Sequence, residues 1–152
     1  MGGVTTRRDW LGEIRGQIVA LDTAPLIYYI EEHPLYLPHL DPFFEAIDRG
    51  EIRVVTSTVT LMEVLVQPLQ RGNFRVVERY RKILLDVAGL RTVPVTTTVA
   101  EEAARLRAAH RLAPPDAFQL ATAITEGATA ILTNDLRLPR LASLPLLILD
   151  EL

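Results

Sequence analysis

The chain contains no cysteine among its 152 residues, which excludes disulfide bonds and thiolate metal sites. The three histidines (His33, His39 and His110) lack the spacing of a zinc site, so we interpret them as surface or loop residues. No segment reaches the ~18 uncharged apolar residues of a membrane span, because a charge and a proline interrupt the longest candidate, residues 18–30. The N-terminus lacks the apolar stretch of a signal peptide. We therefore expect a cytoplasmic protein without a membrane partner.

Lysine is also scarce, since Lys82 stands against 15 arginines. The formal net charge is −3, from 19 acidic and 16 basic residues. If four isolated acids described below are set aside, 15 acids face 16 bases, and the remaining surface does not repel phosphate. An apolar fraction of 49% indicates a globular chain with a sizeable core. We predict one domain over residues 17–152, preceded by a polar extension, residues 1–16, in which Trp10, Leu11 and Ile14 form a short docking turn.

Four acidic residues stand alone in otherwise uncharged, largely apolar stretches. They are Asp22 within residues 16–30, Glu63 within 54–70, Asp116 within 112–125 and Asp135 within 127–136. Burying a carboxylate without a partner is costly, and we expect none of the four to have a basic partner close in sequence. Each acid is either an isolated helix cap or surface ion pair, or the four meet and share a cation. Because the same anomaly occurs four times, we favour the shared cation.

Short apolar runs alternate with helical segments along the chain, which indicates a parallel sheet with helices on both faces. The predicted strands are residues 17–21, 52–56, 90–95, 128–133 and 146–149. The predicted fold is a three-layer α/β/α sandwich around a central, parallel sheet of about five strands.

Caps and prolines set the predicted helix limits. We expect Thr23, Ser57 or Thr58, Asn73, and Thr97 or Thr98 to cap four helices, Pro42 to open another that ends at Gly50, and Pro114–Pro115 to open the helix carrying Asp116. In the helix after Asn73, Phe74, Val77, Tyr80, Ile83, Leu84 and Val87 are predicted to face inward. In the helix after Thr97, the predicted inward residues are Val99, Ala103, Leu106 and Ala109.

This arrangement gives the four acids a geometric reason to converge. Sites in parallel sheets lie beyond the carboxyl ends of the strands, where Asp22 follows the first strand and Asp135 the fourth. Glu63 and Asp116 lie on helices that begin on the same side. Four carboxylates so close would repel one another and raise their pKa values unless a divalent cation were present. Oxygen ligands without histidine or cysteine favour Mg²⁺ or Mn²⁺.

Four segments of the chain resemble the acidic motifs of PIN domains, and the similarity is closest to VapC-like toxins of type II toxin–antitoxin pairs. The segments are Leu21-Asp22-Thr23, Thr60-Leu61-Met62-Glu63-Val64-Leu65, Pro115-Asp116-Ala117-Phe118-Gln119-Leu120-Ala121-Thr122-Ala123 and Leu132-Thr133-Asn134-Asp135. The resemblance implies a ribonuclease in which Asp22, Glu63, Asp116 and Asp135 are catalytic and hold Mg²⁺ or Mn²⁺. It also implies that Thr23 and Thr133 hold ligands or waters beside the acids. The extension before the first strand departs from the family pattern.

Other acidic sites fit the sequence less well. A phosphoacceptor receiver domain needs a lysine near its acids, and the haloacid-dehalogenase phosphatases need two aspartates separated by one residue. Three alternatives stay open: a toxin, a PIN-fold nuclease of RNA maturation or flap processing without an antitoxin, and a PIN-fold binding module without activity. The small single domain favours the toxin.

The helices predicted at residues 23–33 and 58–69 contain more apolar residues than one core face absorbs. These residues are Leu26, Tyr28, Tyr29, Leu61, Leu65 and Leu69. We expect a homodimer and a cognate antitoxin segment that lies over the mouth of the site and places a basic side chain among the acids.

Overall fold

The computed structural model describes residues 9–152, within which five parallel strands form one sheet. Along the chain they are β1 (Ile18–Leu21), β2 (Arg53–Ser57), β3 (Leu90–Val93), β4 (Ala130–Thr133) and β5 (Leu146–Ile148). Across the sheet their order is β3-β2-β1-β4-β5. Each strand begins and ends within two residues of its predicted limits, and the predicted α/β sandwich is confirmed.

Seven α-helices connect and cover the strands in this part of the chain. They are α1 (Trp10–Ile14), α2 (Thr23–Ile30), α3 (Leu37–Asp48), α4 (Thr58–Gln70), α5 (Phe74–Leu85), α6 (Thr97–His110) and α7 (Pro114–Thr125). A short 3-10 helix, Leu149–Glu151, follows β5. No helix within residues 9–152 combines the length and apolar character needed to cross a membrane.

The sheet separates two apolar cores. One core contains buried residues of α1 to α5 together with Val19 and Leu21, and the other contains residues of α6 and α7 together with Ala20. Val19, Ala20 and Leu21 are consecutive in β1, and side chains alternate between the faces of a strand. Because both faces are covered, the central strands β1 and β4 read as short apolar runs.

Part of the predicted extension belongs to the core. Asp9 caps α1 by accepting a hydrogen bond from the Gly12 amide at 3.0 Å. Trp10 stacks on Phe43 of α3 with ring centroids 5.7 Å apart, and Ile14 is buried in the same cluster. The predicted docking turn is therefore a short helix packed on the domain. Residues 1–8 of the extension lie outside the described residues.

Proline and cap positions differ from several sequence predictions. Pro38, rather than Pro42, lies in the first turn of α3, where the backbone donors lack helical partners, and Pro42 lies inside the helix. Thr96, rather than Thr97 or Thr98, caps α6 by accepting from the Val99 amide at 3.2 Å. Asp22, rather than Thr23, caps α2. The predicted caps Ser57 and Asn73 are confirmed.

Two residues predicted to face inward are exposed, namely Phe74 and Ala109. Phe74 is the first residue of α5 and is 66% exposed, whereas Val77, Tyr80, Ile83 and Leu84 are buried as predicted. Helical periodicity identifies the inward side of a helix, but not where the packed layer beneath it ends.

We expect Trp10→Ala to lower the free energy of unfolding by about 3 kcal/mol or more, because it removes a buried aromatic side chain and leaves a cavity against Phe43. The measurement is urea unfolding monitored by circular dichroism. Tryptophan fluorescence cannot be used, because the substitution removes the only tryptophan. Phe74→Ala, which truncates an exposed aromatic residue, is the control and should cost far less. Equal losses in the two variants would contradict the packing of α1 on the core.

Candidate active site

The candidate site lies at the carboxyl edge of the sheet, where β1 and β4 are neighbours. Leu21 pairs with Leu132 across these strands, so the segments that follow each strand emerge side by side. The order of the strands reverses here. From β1, the chain first adds β2 and β3 on one side of the sheet, and it later adds β4 and β5 on the other side. Ligands of open parallel sheets bind at such a switch point.

Asp22 is the most deeply buried of the four acids, with 8% of its surface exposed. One carboxylate oxygen accepts from the Thr23 amide at 2.8 Å, and the other accepts from the Thr133 hydroxyl at 2.6 Å. Burial raises the pKa of Asp22, and the charges of Asp116 and Asp135 raise it further, while these two hydrogen bonds lower it. The net direction is upward.

Glu63 extends toward Asp22 from the second turn of α4. Its Oε1 accepts from the Thr23 hydroxyl and from the Gln119 side-chain amide, both at 3.1 Å. Burial is the largest cause that raises the pKa of Glu63, followed among the raising causes by the charges of Asp22 and Asp116. Among residues 9–152, neither Asp22 nor Glu63 forms a salt bridge.

Asp116 is the third residue of α7 and follows the two prolines that open the first turn of this helix. Its carboxylate makes no hydrogen bond to the described residues. Burial and the charge of Asp135 raise its pKa, and the charge of Arg137 lowers it, with a net upward shift.

Asp135 departs from the expectation that none of the acids has a local basic partner. The Arg137 guanidinium donates to both of its carboxylate oxygens, at 3.0 and 3.1 Å. This hydrogen-bonded ion pair lowers the pKa of Asp135. The prediction was wrong because a tight turn places a basic residue two positions away beside the carboxylate; the Arg137 amide also donates to Asp135, at 2.9 Å.

The structure thus brings all four predicted acids to one sheet edge, where each affects or is affected by the charge of another. Among residues 9–152, however, no three acidic or histidine side chains are grouped so that they could hold a metal ion as they stand. A cation shared by the acids would therefore require the carboxylates to draw closer.

Sequence reasoning assigned no role to three further residues of this edge, Thr60, Gln119 and Arg137. Gln119 lies three residues after Asp116, and Thr60 lies three residues before Glu63. A spacing of three places side chains on the same side of a helix, so this polar periodicity was the available signal. Thr23 and Thr133 do lie beside the acids, as the resemblance implied, and both donate to a carboxylate.

A second polar group holds the loop that carries Asp135. The Tyr36 hydroxyl accepts from the Asn134 side chain at 3.0 Å and donates to Asp150 at 2.7 Å. The Asp150 amide donates back to Asn134 at 3.1 Å. These bonds tie the segment after β4 to the residue that precedes α3 and to the C-terminal 3-10 helix.

A family model for the PIN domain matches residues 19–144, a span that contains all four acids. The chain belongs to the PIN-domain family. Among proteins with curated descriptions, none matches it significantly in sequence.

Solved structures with this fold include several toxin–antitoxin proteins. VapBC2 from Rickettsia felis, bound to a promoter DNA fragment, matches with a TM-score of 0.69 at 19% identity, over 86% of this chain and 98% of that one. VapC20 from Mycobacterium tuberculosis, described as a sarcin–ricin loop cleaving toxin, matches with a TM-score of 0.61 at 18% identity, over 74% of this chain and 86% of that one. VapBC-5 from the same organism matches with a TM-score of 0.54 at 26% identity, over 87% of this chain and 98% of that one. The PIN domain here therefore shares the fold of VapC-type toxins.

We expect Asp116→Asn to stabilise the protein in chelator at about pH 7, by at most about 1 kcal/mol after solvent screening. The raised pKa means that the native state binds more protons than the unfolded state at pH values between 3.8 and the folded pKa. The ionised carboxylate therefore destabilises the fold at pH values above the folded pKa. Below pH 3.8 the group is protonated in both states and has no such effect. The gain should be present at about pH 7 and shrink toward about pH 4.

Urea unfolding of the wild type and of Asp116→Asn at both pH values measures this effect. Asp86→Asn makes the same chemical change at an exposed aspartate without a salt bridge among the described residues, and it is the control. Destabilisation of Asp116→Asn at about pH 7 would contradict this prediction and would mean that Asp116 is an isolated helix-start acid favoured by the helix dipole.

Proposed function

We propose that this PIN-domain protein is an endoribonuclease that depends on Mg²⁺ or Mn²⁺ and acts as the toxin of a toxin–antitoxin pair. In this proposal Asp22, Glu63, Asp116 and Asp135 are the catalytic residues and hold the metal. The observation that carries the proposal is the convergence of these acids at one edge, with raised pKa values at three of them. Neither Asp22 nor Glu63 is neutralised by a salt bridge within residues 9–152.

The donor set fits a hard divalent cation. All four side chains offer carboxylate oxygens, and the nearby groups that could add to them are the hydroxyls of Thr23 and Thr133. Such oxygen ligands suit Mg²⁺ and Mn²⁺. Burial, followed by repulsion from neighbouring acids, raises the pKa values of Asp22 and Glu63, and a bound cation would offset both causes.

The protein's own residues set the state of each acid. Thr133 and the Thr23 amide fix both oxygens of Asp22, while Thr23 and Gln119 fix one oxygen of Glu63. The Asp116 carboxylate, without a hydrogen bond to the described residues, remains available to bind water or a ligand. A bound ion would supply an acidified water as nucleophile and charge stabilisation on the phosphodiester. No side-chain nucleophile is required.

RNA is the substrate we favour. The resemblance of the four acidic motifs to VapC-like toxins implies a ribonuclease, and the structurally similar VapC20 is described as a sarcin–ricin loop cleaving toxin. The 15 arginines provide guanidinium groups suited to phosphate contacts. An RNA target also agrees with the cytoplasmic location expected from the sequence.

We expect the protein to cut single-stranded or looped RNA in Mg²⁺ or Mn²⁺ and to stop when a chelator is added. Asp116→Asn should reduce the rate by orders of magnitude while leaving the fold intact, because it removes one of the acids that would bind the ion. The measurement is the cleavage rate of a labelled hairpin RNA, with circular dichroism to verify folding and Asp86→Asn as the control.

Full activity in Asp116→Asn, or in excess chelator, would contradict the metal mechanism. A wild-type protein that binds RNA without cutting it would favour a PIN-fold binding module. Cleavage by a protein that has no antitoxin would favour a nuclease of RNA maturation or flap processing.

The proposed partners are supported by a groove beside Glu63 and by the helix that borders it. The groove has a volume of about 410 Å³, and its walls combine apolar side chains of Ile27, Val64, Pro68 and Tyr80 with the acids Glu31 and Glu63. An antitoxin segment with an apolar face and a basic side chain would complement this lining. The structures of VapBC proteins are consistent with such a partner.

The apolar residues available for association differ in part from those predicted. Leu26 is fully buried, and Tyr28, Tyr29, Leu61 and Leu65 pack against the core. The exposed large apolar residues of α4 are Met62, Val66 and Leu69, at 54, 43 and 51% exposure. Their spacing of four and three residues places them along one side of α4, which we call the α4 apolar stripe.

We expect the wild type to be a homodimer of twice 17.0 kDa at micromolar concentration, held in part by the α4 apolar stripe. Met62→Asp combined with Leu69→Asp should shift it toward monomer, because each carboxylate would be buried in the interface. Light scattering coupled to size exclusion measures the mass. Leu35→Asp, at an exposed leucine outside α4, is the control and should remain dimeric. A monodisperse wild-type monomer would contradict this prediction.

A further inference from the structure

The side-chain amide of Gln119 lies among the groups that surround Glu63. Gln119 is 7% exposed and lies one turn after Asp116 in α7. Its Nε2 is 2.7 Å from the Thr23 hydroxyl, 3.1 Å from the Glu63 carboxylate and 3.2 Å from the Thr60 hydroxyl. One buried amide therefore joins α2, α4 and α7 at the site.

The hydrogens of this network can be assigned by counting donors. The Thr56 hydroxyl has one proton and lies 2.9 Å from both the Leu21 carbonyl and the Thr60 hydroxyl. If Thr56 donates to Leu21, then Thr60 donates to Thr56 and presents its lone pairs to Gln119. Gln119 has two amide hydrogens to share among the three oxygens around it. Thr23 accepts from Gln119 and donates its own proton to Glu63.

All of the donors to Glu63 in this network are neutral. The carboxylate is consequently held without an ion pair, and its negative charge stays available to a cation. A glutamate has three side-chain torsions, and the charges of Asp22 and Asp116 repel this one. Glu63 also borders the groove between α2, α4 and Tyr80, into which it could turn if the donors were lost.

We propose that Gln119 is a positioning residue that holds Glu63 toward the other acids and thereby sets the metal affinity of the site. This inference rests on the proposed metal-dependent function. A purely structural alternative is that Gln119 only satisfies the buried threonines. The two differ in whether the effect of Gln119 passes through Glu63.

The first measurement uses Mn²⁺ alone with the full chain, by calorimetry and, for weak binding, by water-proton relaxation. Gln119→Met retains a long, unbranched side chain and removes the donors. We expect it to weaken Mn²⁺ binding by roughly 10- to 100-fold, the usual effect of removing a group that orients a metal ligand. Thr122→Val is the matched control, because Thr122 is buried in the same helix and its side-chain hydroxyl donates only to the Phe118 carbonyl. It should bind Mn²⁺ as the wild type does.

The deciding measurement repeats Gln119→Met in a Glu63→Gln background. If Gln119 acts through Glu63, the second substitution should cost little further affinity. An equal loss in both backgrounds, or wild-type affinity in Gln119→Met alone, would overturn the positioning role while leaving the proposed function intact. A wild type that binds no Mn²⁺ would overturn both. If Gln119→Met does not fold, Gln119→Asn takes its place, since its amide is one methylene too short to reach Glu63.

Discussion

The structure of the site depends on one constraint, the burial of the Asp22 carboxylate without a salt bridge among the described residues. The Thr23 amide and the Thr133 hydroxyl satisfy its oxygens, yet neither supplies a positive charge. Burial and two further acids raise its pKa, so the ionised group is held at a cost in free energy. Sites that trade stability for function commonly carry such a cost.

The fold explains how this cost is tolerated. Asp22 also caps α2, where the helix dipole favours a negative charge, and it follows a strand that is covered on both faces. Asp116 lies in the first turn of α7 and is favoured in the same way. Two helix starts and the ends of two parallel strands thus collect negative charge at one edge of the sheet.

Asp135 and Glu63 show two different ways of holding a carboxylate at this edge. Arg137 pairs with Asp135 and lowers its pKa, whereas neutral donors hold Glu63, whose pKa is raised. Ion pairing reduces the attraction of a carboxylate for a metal, while neutral hydrogen bonds preserve it. This contrast is in line with our proposal that Gln119 positions Glu63 for metal binding.

The sequence by itself determined the strand and helix order, the sheet type and the four acids, because burial on both faces leaves uncharged runs in which a lone acid is conspicuous. It also indicated that Trp10 and Ile14 dock. Only the tertiary structure decided which acids stay unpaired. Arg137 reaches Asp135 because the chain turns between them, and the amino-acid composition does not specify the geometry of that turn. The same holds for Gln119, whose partners Thr23 and Glu63 lie 96 and 56 residues away and meet it only when three helices pack together.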